Sequence, residues 1–480
     1  MSSLHEECGV FGVYLPQRRT GVVSMAYHAL YALQHRGQES CGIAVNNDGV
    51  ITCHKDVGLV NEVFTRDVLE KLEEGSIAVG HCRYGTTGAQ NRNNAQPLLI
   101  NHLKGGMALC HNGNLVNAGE LREKLENNGA IFHTTSDSEV IAYVVTQERL
   151  KAASIEEAVL AAMKRIRGAY SLCVMSPTKL IAARDPHGFR PLCMGTLEDG
   201  GVVFASESCA LDAIGATFVR DIEAGEVVVV DADGVRSLHY EEKCGTSLCV
   251  FEFIYFARPD SVIDGSAVHT ARLRAGSFLA LEHPVQADVV VGVPDSGIDA
   301  AIGYSRQSGI PYGIGFIKNK YIGRTFIQPG QEQRTNSVRI KLNVVRSTVK
   351  DKRVVLIDDS IVRGTTSARI VSLLREAGAK EVHMRLSSPP FRHPCYFGTD
   401  IDSTDNLIAA NHSIEEIRDM IGADSLGFLP VECLDKLADQ STCGFCKGCF
   451  TGDYPVAPPA TADKNKFETP LSGKGFTPAP

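Results

Sequence analysis

The sequence predicts an α/β fold with a parallel sheet in the second half of the chain, after a first half that mixes strand and helix patterns. The apolar run VVLI at 354–357 indicates a strand buried on both faces. A helix is predicted after it, from apolar residues at helical spacing and a glycine placed to end the helix: Ala368, Val371, Leu374, Ala377 and Gly378. The sequence ADVVVGVPDS at 287–296 repeats the pattern of an apolar strand followed by a turn.

The turn after the strand at 354–357 has the residues of a phosphate site. Asp358 and Asp359 stand at the end of that strand. Small residues rich in hydrogen-bond donors follow them: Gly364, Thr365, Thr366 and Ser367. A helix N-terminus attracts phosphate, whereas two acids suit ribose hydroxyls or a Mg²⁺ ion that the ligand carries. The ligand indicated is a phosphorylated sugar; the alternative is an ordinary strand-to-helix turn.

Length and composition exclude several classes of protein. A chain of 480 residues has room for two or three domains, and its net charge of −8 argues against general binding to nucleic acids or membrane surfaces. No apolar run approaches 18 residues, and the first seven residues, MSSLHEE, lack the features of a secretory signal. We therefore expect a cytoplasmic protein. In such a protein the 15 cysteines suggest metal or catalytic use, with most of them small core residues.

Four separated motifs of the first half carry a second kind of chemistry. They are Cys8 at the head of CGVFGV, HCRYGTTG at 81–88, CHNGN at 110–114 and TTSDSE at 134–139. Singly, each has a structural explanation: a buried strand cysteine, a surface arginine, an Asn-Gly hairpin turn, and a capping box from Ser136 to Glu139. In this order, the four resemble the glutaminase domain of the N-terminal-nucleophile amidotransferases. That family has an α+β fold of four layers, αββα, which we expect over residues 8–240.

The resemblance implies a role for each motif. The chain would be cut before Cys8, so that residues 1–7 are a propeptide and the freed α-amine, with an ordinary pKa of about 8, becomes the general base. Cys8 would be the nucleophile, and Asn112 and Gly113 would stabilise the oxyanion. Arg83 would pair with the α-carboxylate of glutamine and Asp137 with its α-ammonium.

The second half resembles the type I phosphoribosyltransferases. Their phosphoribosylpyrophosphate (PRPP) loop has the pattern VVLIDDSIVRGTTS seen at 354–367, and their pyrophosphate loop matches 287–296. By this match Ser296, with Asp358 and Asp359, is associated with Mg²⁺. The domain expected is an α/β domain with a parallel sheet, over residues 241–455.

A basic stretch at 318–341 carries six Lys or Arg residues against one acid, Glu332. Such a run is usually a solvated face. Its glycines and proline suggest a mobile loop, and it resembles the family's flexible loop, which closes over PRPP. Lys318 and Tyr321 are the residues expected to contact nucleotide or phosphate. Tyr255 and Arg258 are weaker candidates for coupling two active sites.

The cysteines of the second half include a C-x₂-C-x₂-C run: Cys443, Cys446 and Cys449. That spacing suits zinc or an iron–sulfur cluster, and a [4Fe–4S] cluster needs four thiolates. The iron–sulfur members of the family carry their ligands in segments that match Cys249, Cys395, Cys446 and Cys449 here. Cys443 is then an extra neighbour. The alternative is a set of reduced core cysteines.

Together the two halves resemble the amidophosphoribosyltransferases, the glutamine–PRPP amidotransferases of de novo purine synthesis, over residues 8–455. The reaction implied converts PRPP, glutamine and water into 5-phosphoribosylamine, glutamate and pyrophosphate, with ammonia channelled between two sites. The family implies a homo-oligomer, a homotetramer or a homodimer, that purine nucleotides inhibit. Residues 456–480 are rich in Pro, Ala, Lys and Thr, which predicts a disordered tail.

Two alternatives remain at this point. An amidotransferase of the glucosamine-6-phosphate synthase type shares the first half, but it needs a sugar isomerase in the second half. A PRPP-sensing regulator with a phosphoribosyltransferase domain would not need the ordered glutaminase motifs.

Overall fold

The structure, a computed structural model, describes residues 8–17, 20–72, 75–85, 91–242, 244–319, 342–399, 401, 403–441 and 443–459. The described residues form two units by their internal contacts. We call residues 8–248, 396–399 and 455–459 the amino-terminal unit, and residues 249–395 and 401–454 the carboxyl-terminal unit. The predicted propeptide, Tyr321, most of the basic stretch and most of the predicted tail lie outside the described residues.

The amino-terminal unit contains two antiparallel sheets. Its strands are β1 (Gly9–Tyr14), β2 (Ser40–Asn47), β3 (Val50–Val57), β4 (Ile77–Arg83), β5 (Leu98–His102), β6 (Gly105–Leu115), β7 (Gly168–Met175), β8 (Leu180–Arg184), β9 (Cys193–Thr196), β10 (Val202–Ala205), β11 (Thr217–Asp221), β12 (Glu226–Asp231) and β13 (Gly234–His239). The first sheet has the order β11-β9-β10-β1-β4-β2-β3, and the second has the order β13-β12-β8-β7-β6-β5.

The helices of this unit cover the outer faces of the two sheets. They are α1 (Val22–Ala32), α2 (Val60–Val63), α3 (Arg66–Lys71), α4 (Ala118–Asn127), α5 (Asp137–Arg149), α6 (Ile155–Met163) and α7 (Ser208–Ala213), with a 3₁₀ turn at Arg92–Asn94. One core lies between the first sheet and α1, α2 and α7, and another lies between the second sheet and α4, α5 and α6. A third core, which includes Val10, Val79 and Cys110, lies between the sheets. The predicted four-layer αββα fold is confirmed.

The carboxyl-terminal unit is built on a parallel sheet of the order β17-β20-β21-β22. The strands from the junction onward are β14 (Leu248–Cys249), β15 (Val262–Ile263), β16 (Ser266–Ala267), β17 (Val289–Gly292), β18 (Phe316–Lys318), β19 (Leu342–Val344), β20 (Arg353–Asp358), β21 (Glu381–Leu386), β22 (Ser425–Phe428) and β23 (Phe445–Cys446). The helices are α8 (Val268–Glu282), α9 (Gly297–Ser308), α10 (Arg346–Val349), α11 (Thr365–Glu376), α12 (Ile408–Asn411), α13 (Ile414–Ile421) and α14 (Gly448–Thr451). Single turns occur at Glu252–Phe256 (π), Thr404–Asn406 (3₁₀) and Val431–Lys436 (3₁₀).

The predicted strand, turn and helix of this unit are confirmed. β20 is fully buried from its second residue, and α11 follows the Gly/Thr/Ser turn. Gly378 has φ of +95°, a left-handed conformation that glycine adopts without strain, so it ends the helix as expected. Across the described ranges, none of the helices combines the length and the apolar composition that crossing a membrane requires.

Candidate active sites

Cys8 lies immediately before β1, and only 7% of it is exposed. Its thiol donates to the backbone carbonyl of Tyr84 at 3.3 Å, beside Arg83. The backbone carbonyl of Cys8 accepts a hydrogen bond of 2.9 Å from Arg36, whose guanidinium in turn lies 2.6 Å from the carboxylate of Glu207. Arg36 and Glu207 are buried, so this ion pair holds the backbone of the candidate nucleophile in place. The sequence motifs did not point to either residue.

Arg83 ends β4, the neighbour of β1 in the sheet. It is buried rather than a surface charge, and its Nη1 lies 3.6 Å from the carboxylate of Glu39. The same carboxylate oxygen accepts the N–H of Gly85 at 2.7 Å. Glu39 therefore orients the buried guanidinium of Arg83. Arg83 precedes Tyr84, whose carbonyl accepts the hydrogen bond from the Cys8 thiol.

The side-chain amide of Asn112 is fully buried on β6, and neither its Nδ2 nor its Oδ1 has a hydrogen-bond partner among the described residues. A buried amide without partners costs free energy, about 1–3 kcal/mol, so the arrangement fits a donor kept for a ligand. Gly113 follows with φ of +140°, and a Cβ there would lie 2.1 Å from the carbonyl oxygen of Ala169. Only glycine fits that position, beside the predicted oxyanion donor.

Asp137 begins α5 and is buried beside the end of β6. Its Oδ2 accepts the N–H of Leu115 at 2.9 Å, and its Oδ1 lies 3.8 Å from Nδ1 of His111. The strand of Asn112 and the helix of Asp137 are thus joined directly.

The predicted capping box at 136–139 forms only in part. Ser136 is the N-cap, but its Oγ accepts from the N–H of Ser138 at 3.2 Å rather than from Glu139. The N–H of Ser136 donates to Thr134, and the carboxylate of Glu139 instead accepts the N–H groups of His133 and Thr134. The box pattern was wrong because the preceding loop turns back and supplies its own donors to Glu139.

Two buried histidines adjoin this site. His81, on β4, donates from Nε2 to the backbone carbonyl of His111 at 2.9 Å, and burial lowers the pKa of His81 to about 3. The N–H of His111 donates to the side chain of Gln96 at 2.7 Å, and its ring contacts Ser138 at 3.0 Å. The peptide that precedes Asn112 is therefore held by side chains from several elements. Although the histidines stand in the quoted motifs, sequence reasoning gave them no role, and nothing in the sequence linked Gln96 to them.

In the carboxyl-terminal unit, Asp358 ends β20 and Asp359 follows it, both buried. Burial and the neighbouring Asp359 carboxylate raise the pKa of Asp358 well above its usual range. Burial also raises the pKa of Asp359, although hydrogen bonds from Ser296 and Ser360 oppose the effect. Two buried acids side by side create a demand for positive charge, which fits a divalent cation with oxygen ligands.

The predicted pyrophosphate loop lies next to these acids because β17 and β20 are adjacent and parallel. The N–H of Val293 donates to the carbonyl of Ile357 at 2.8 Å, and the hydroxyl of Ser296 donates to Asp359 at 2.5 Å. Lys318 bonds to the carboxylate of Asp295 at 2.5 Å. Lys318 and Ser296 are thus brought to the edge of the sheet where the acid pair lies.

The N-terminus of α11 also faces this edge. Gly364 is its N-cap with φ of +80°, and no side chain caps the helix. Thr365 is exposed, whereas Ser367 is buried. The first N–H groups of a helix have no partner within it, so this end can receive an anion.

The thiols of Cys249, Cys395, Cys446 and Cys449 are neighbours. Burial raises the pKa of Cys449 well above its usual range, and the other three thiols raise it further. Cys249 and Cys446 lie in two short strands that pair, and the N–H groups of Arg392 and His393 donate to the carbonyl of Cys449. Within the described ranges, no three His, Cys, Asp or Glu side chains are grouped to hold a single ion. A four-iron cluster is larger than an ion and each thiolate binds a different iron, so four cysteines whose thiols interact with Cys449 are compatible with it.

Tyr255 and Arg258 follow Cys249 in the chain. The carbonyl of Tyr255 accepts a hydrogen bond of 2.9 Å from the buried Arg272, and Arg258 pairs with Asp260 at 3.0 Å. Neither contact tests a role in coupling two sites.

Both halves of the chain match known protein families. Residues 81–213 match the glutamine amidotransferase domain family, and residues 269–387 match the phosphoribosyl transferase domain family. The amidophosphoribosyltransferase of Synechocystis sp. is 51% identical over 465 residues, 96% of this chain and 93% of the relative. That of Bacillus subtilis is 49% identical over 461 residues, 95% of each chain.

Solved structures agree over nearly the whole length. The glutamine PRPP amidotransferase from B. subtilis complexed with ADP and GMP has a TM-score of 0.87 at 49% identity, and the match covers 94% of this chain and 98% of that one. A structure described as the allosteric regulatory enzyme of purine biosynthesis has a TM-score of 0.88 at 48% identity, covering 95% and 97%. The chain therefore belongs to the amidophosphoribosyltransferase family, and with its glutamine amidotransferase and phosphoribosyltransferase domains it catalyses the first step of purine biosynthesis.

Proposed function

We propose that this chain releases ammonia from glutamine at Cys8 and uses it at the acid pair to convert PRPP into 5-phosphoribosylamine and pyrophosphate. The observation that carries the glutaminase assignment is the buried amide of Asn112, which has no hydrogen-bond partner within the part of the chain that the structure describes. An oxyanion site needs a donor that is unpaired before the substrate arrives, and a structural asparagine would be paired.

In the glutaminase step, the thiolate of Cys8 attacks the side-chain carbonyl of glutamine and forms a tetrahedral oxyanion. Asn112 and the N–H of Gly113 donate to that oxyanion. The C–N bond then breaks, ammonia leaves, and water hydrolyses the thioester to glutamate. The α-amine of Cys8, freed by removal of residues 1–7, moves the proton. Arg83 and Asp137 hold the two charged groups of the glutamine backbone.

In the transfer step, ammonia reaches C1 of the ribose through an internal channel and displaces pyrophosphate, so a C–N bond forms as the C–O bond breaks. Asp358 and Asp359 hold the ribose hydroxyls and, with Ser296, a Mg²⁺ ion. When bound, Mg²⁺ supplies positive charge next to the departing pyrophosphate. The turn at 364–367 receives phosphate, and Lys318 contacts nucleotide or phosphate. Tyr321 is proposed for the same contact but lies outside the described residues.

We further propose that Cys249, Cys395, Cys446 and Cys449 hold a [4Fe–4S] cluster that joins distant segments rather than transferring electrons. Purine nucleotides are proposed as feedback inhibitors, which the ADP and GMP complex of the B. subtilis relative supports. The homo-oligomer and the cytoplasmic location stay predictions.

The test is Cys8→Ala, assayed for phosphoribosylamine with glutamine and, separately, with ammonia. We expect glutamine-dependent activity to be lost and ammonia-dependent activity to remain. Cys193→Ala is the matched control, because its thiol is also buried and also donates to a backbone carbonyl at 3.3 Å, that of Ala205. Glutamine use that survives Cys8→Ala, or loss of both activities, would overturn the assignment.

A further inference from the structure

A short segment from the second half of the chain is part of the amino-terminal unit. Residues 396–399, with the sequence YFGT, follow Cys395, which belongs to the carboxyl-terminal unit, yet their contacts group them with residues 8–248. We call these four residues the YFGT segment. Phe397 is 3% exposed and Thr399 is 4% exposed, so the segment is buried among residues of the glutaminase domain.

Phe397 makes the main contacts of the segment. Its ring stacks on Phe189 with centroids 4.3 Å apart and an interplanar angle of 16°. Its carbonyl accepts two hydrogen bonds from Arg190, at 2.8 Å from Nη2 and 3.3 Å from Nε. Arg190 is fully buried, and hydrogen bonds to a buried cation are among the stronger ones.

The loop that receives Phe397 is held by its own buried charges. The carboxylate of Asp185 accepts the N–H groups of His187 and Phe189. Arg184 donates to the carbonyls of Gly188 at 3.0 Å and Arg190 at 2.8 Å. These internal hydrogen bonds hold the loop in the conformation that contacts the YFGT segment.

The segment also reaches the strand of the oxyanion donor. Asn114 donates from Nδ2 to the carbonyl of Tyr396 at 2.8 Å. Asn114 and Asn112 are two residues apart on β6, so their side chains lie on the same face of the sheet.

A second connection runs through β7. Ser171 lies opposite Asn112 in the register of β6 and β7, and its hydroxyl donates to the carbonyl of Arg190 at 3.1 Å. The YFGT segment is therefore linked to the neighbours of Asn112 on both strands, directly to Asn114 on β6 and through Arg190 to Ser171 on β7.

We propose that the YFGT segment is a positioning element of the glutaminase reaction, which holds β6 so that the Asn112 amide points at the oxyanion. The segment follows Cys395 in the chain, although Cys395 itself belongs to the carboxyl-terminal unit. Asn114, Arg190 and Phe397 are positioning residues; none touches the reacting atoms. This inference rests on the proposed role of Asn112.

The test uses the full-length enzyme with Phe397→Ala, which removes the stacked ring. The kcat for glutamine should fall about tenfold, less than the ~10²–10³ expected for outright loss of an oxyanion donor. The KM for glutamine should change little, because transition-state stabilisation rather than binding is lost. Ammonia-dependent kcat should stay within about twofold, because the segment lies in the glutaminase domain.

Two further variants separate positioning from stability. Phe397→Tyr keeps the stacked ring and should restore glutamine-dependent kcat. Phe132→Ala removes another ring contact of the same unit, a tilted pair with Tyr143 whose centroids are 4.7 Å apart, and should leave the ratio of glutamine to ammonia activity unchanged. If Phe397→Ala does not fold, Asn114→Ser carries the same test, because it removes the bond to Tyr396.

Unchanged glutamine-dependent kcat in folded Phe397→Ala or Asn114→Ser, or an equal fall with glutamine and with ammonia in these two variants, would overturn the inference. The proposed function fails by a different result, glutamine use by Cys8→Ala, so the two failures can be told apart.

Discussion

His81 donates a hydrogen bond from Nε2 to the backbone carbonyl of His111 at 2.9 Å, inside the amino-terminal unit. A carbonyl can only accept, so His81 carries its proton on Nε2, and its Nδ1 has no partner among the described residues. The carbonyl belongs to the same peptide as the N–H of Asn112. A neutral His81 therefore holds the peptide group of Asn112, the proposed oxyanion donor.

The first prediction concerns the pH dependence of stability. Burial lowers the pKa of His81 from 6.5 to about 3, so the unfolded chain binds one more proton than the folded chain between those values. The free energy of unfolding therefore contains the full contribution of neutral His81 above pH 6.5. This contribution falls by about 1.4 kcal/mol for each pH unit below 6.5, so ~2 kcal/mol is lost at pH 5. Burial lowers the pKa of His111 too, so a second loss has the same sign.

His81→Gln removes the pH-dependent loss of stability that comes from His81, and the glutamine amide can still donate to the carbonyl of His111. Urea unfolding at pH 7 and pH 5 should show a smaller difference for His81→Gln than for the wild type. Equal differences in the two proteins would mean that His81 is not the titrating group.

The roles of His81 and His111 were not predicted from the sequence, whereas the main elements of the fold were. Strand β20 and helix α11 follow from local signals, a continuous apolar run and a glycine at the end of the helix, and the structure confirms both. The family, the two-part fold and the reaction were also predicted correctly, because motifs of both halves occur in a recognisable order.

The supporting residues could not be found this way. Arg36 and Glu207 are 171 positions apart, and His81 and His111 meet only when two sheets stack. Such contacts depend on tertiary packing, and no local pattern encodes them. Sequence reasoning also treated Arg83 alone as a surface charge, whereas the fold buries it against Glu39.

The second prediction contrasts two buried asparagines. Asn117 has a partner for each side-chain group, the carbonyl of Arg165 and the N–H of Arg167, both at 2.9 Å. The side chain of Asn112 has none among the residues that the structure describes. Asn112→Ala should lower glutamine-dependent kcat about 10²–10³-fold and barely change stability. Asn117→Ala should leave glutamine-dependent kcat nearly unchanged and should lower the free energy of unfolding by about 1–3 kcal/mol. Steady-state kinetics and urea unfolding check both, and a paired loss of stability in Asn112→Ala would identify it as structural.

The third prediction concerns the acid pair. Burial and Asp359 raise the pKa of Asp358, so the folded chain binds more protons than the unfolded chain above the ordinary carboxyl pKa. Without Mg²⁺, this pair therefore costs stability as the pH rises through that window. Asp358→Asn should stabilise the metal-free enzyme, more at pH 8 than at pH 5, and should sharply lower PRPP turnover.

Glutamine hydrolysis by Asp358→Asn, measured without PRPP, is the internal control, since Cys8 and Asn112 lie in the other unit. Thermal unfolding without Mg²⁺, together with phosphoribosylamine assays, measures both effects. Asp359→Ala should also sharply weaken PRPP turnover, and unchanged kinetics in either variant would remove the pair from the site.

The fourth prediction separates the cluster ligands from their neighbours. The thiols that raise the pKa of Cys449 are those of Cys395, Cys249 and Cys446, the other three proposed ligands. Cys443 stands in the same C-x₂-C-x₂-C run as an extra neighbour. Cys449→Ser should lose most of the iron and sulfide, because three thiolates leave one iron without its protein ligand. Cys443→Ser should keep about four irons per chain, as should Cys433→Ser, a buried cysteine of the same unit. Iron and sulfide analysis of the purified variants, with their visible absorption, decides the assignment. Loss of iron in Cys443→Ser would mean that Cys443 is a cluster ligand in place of one of the four proposed cysteines.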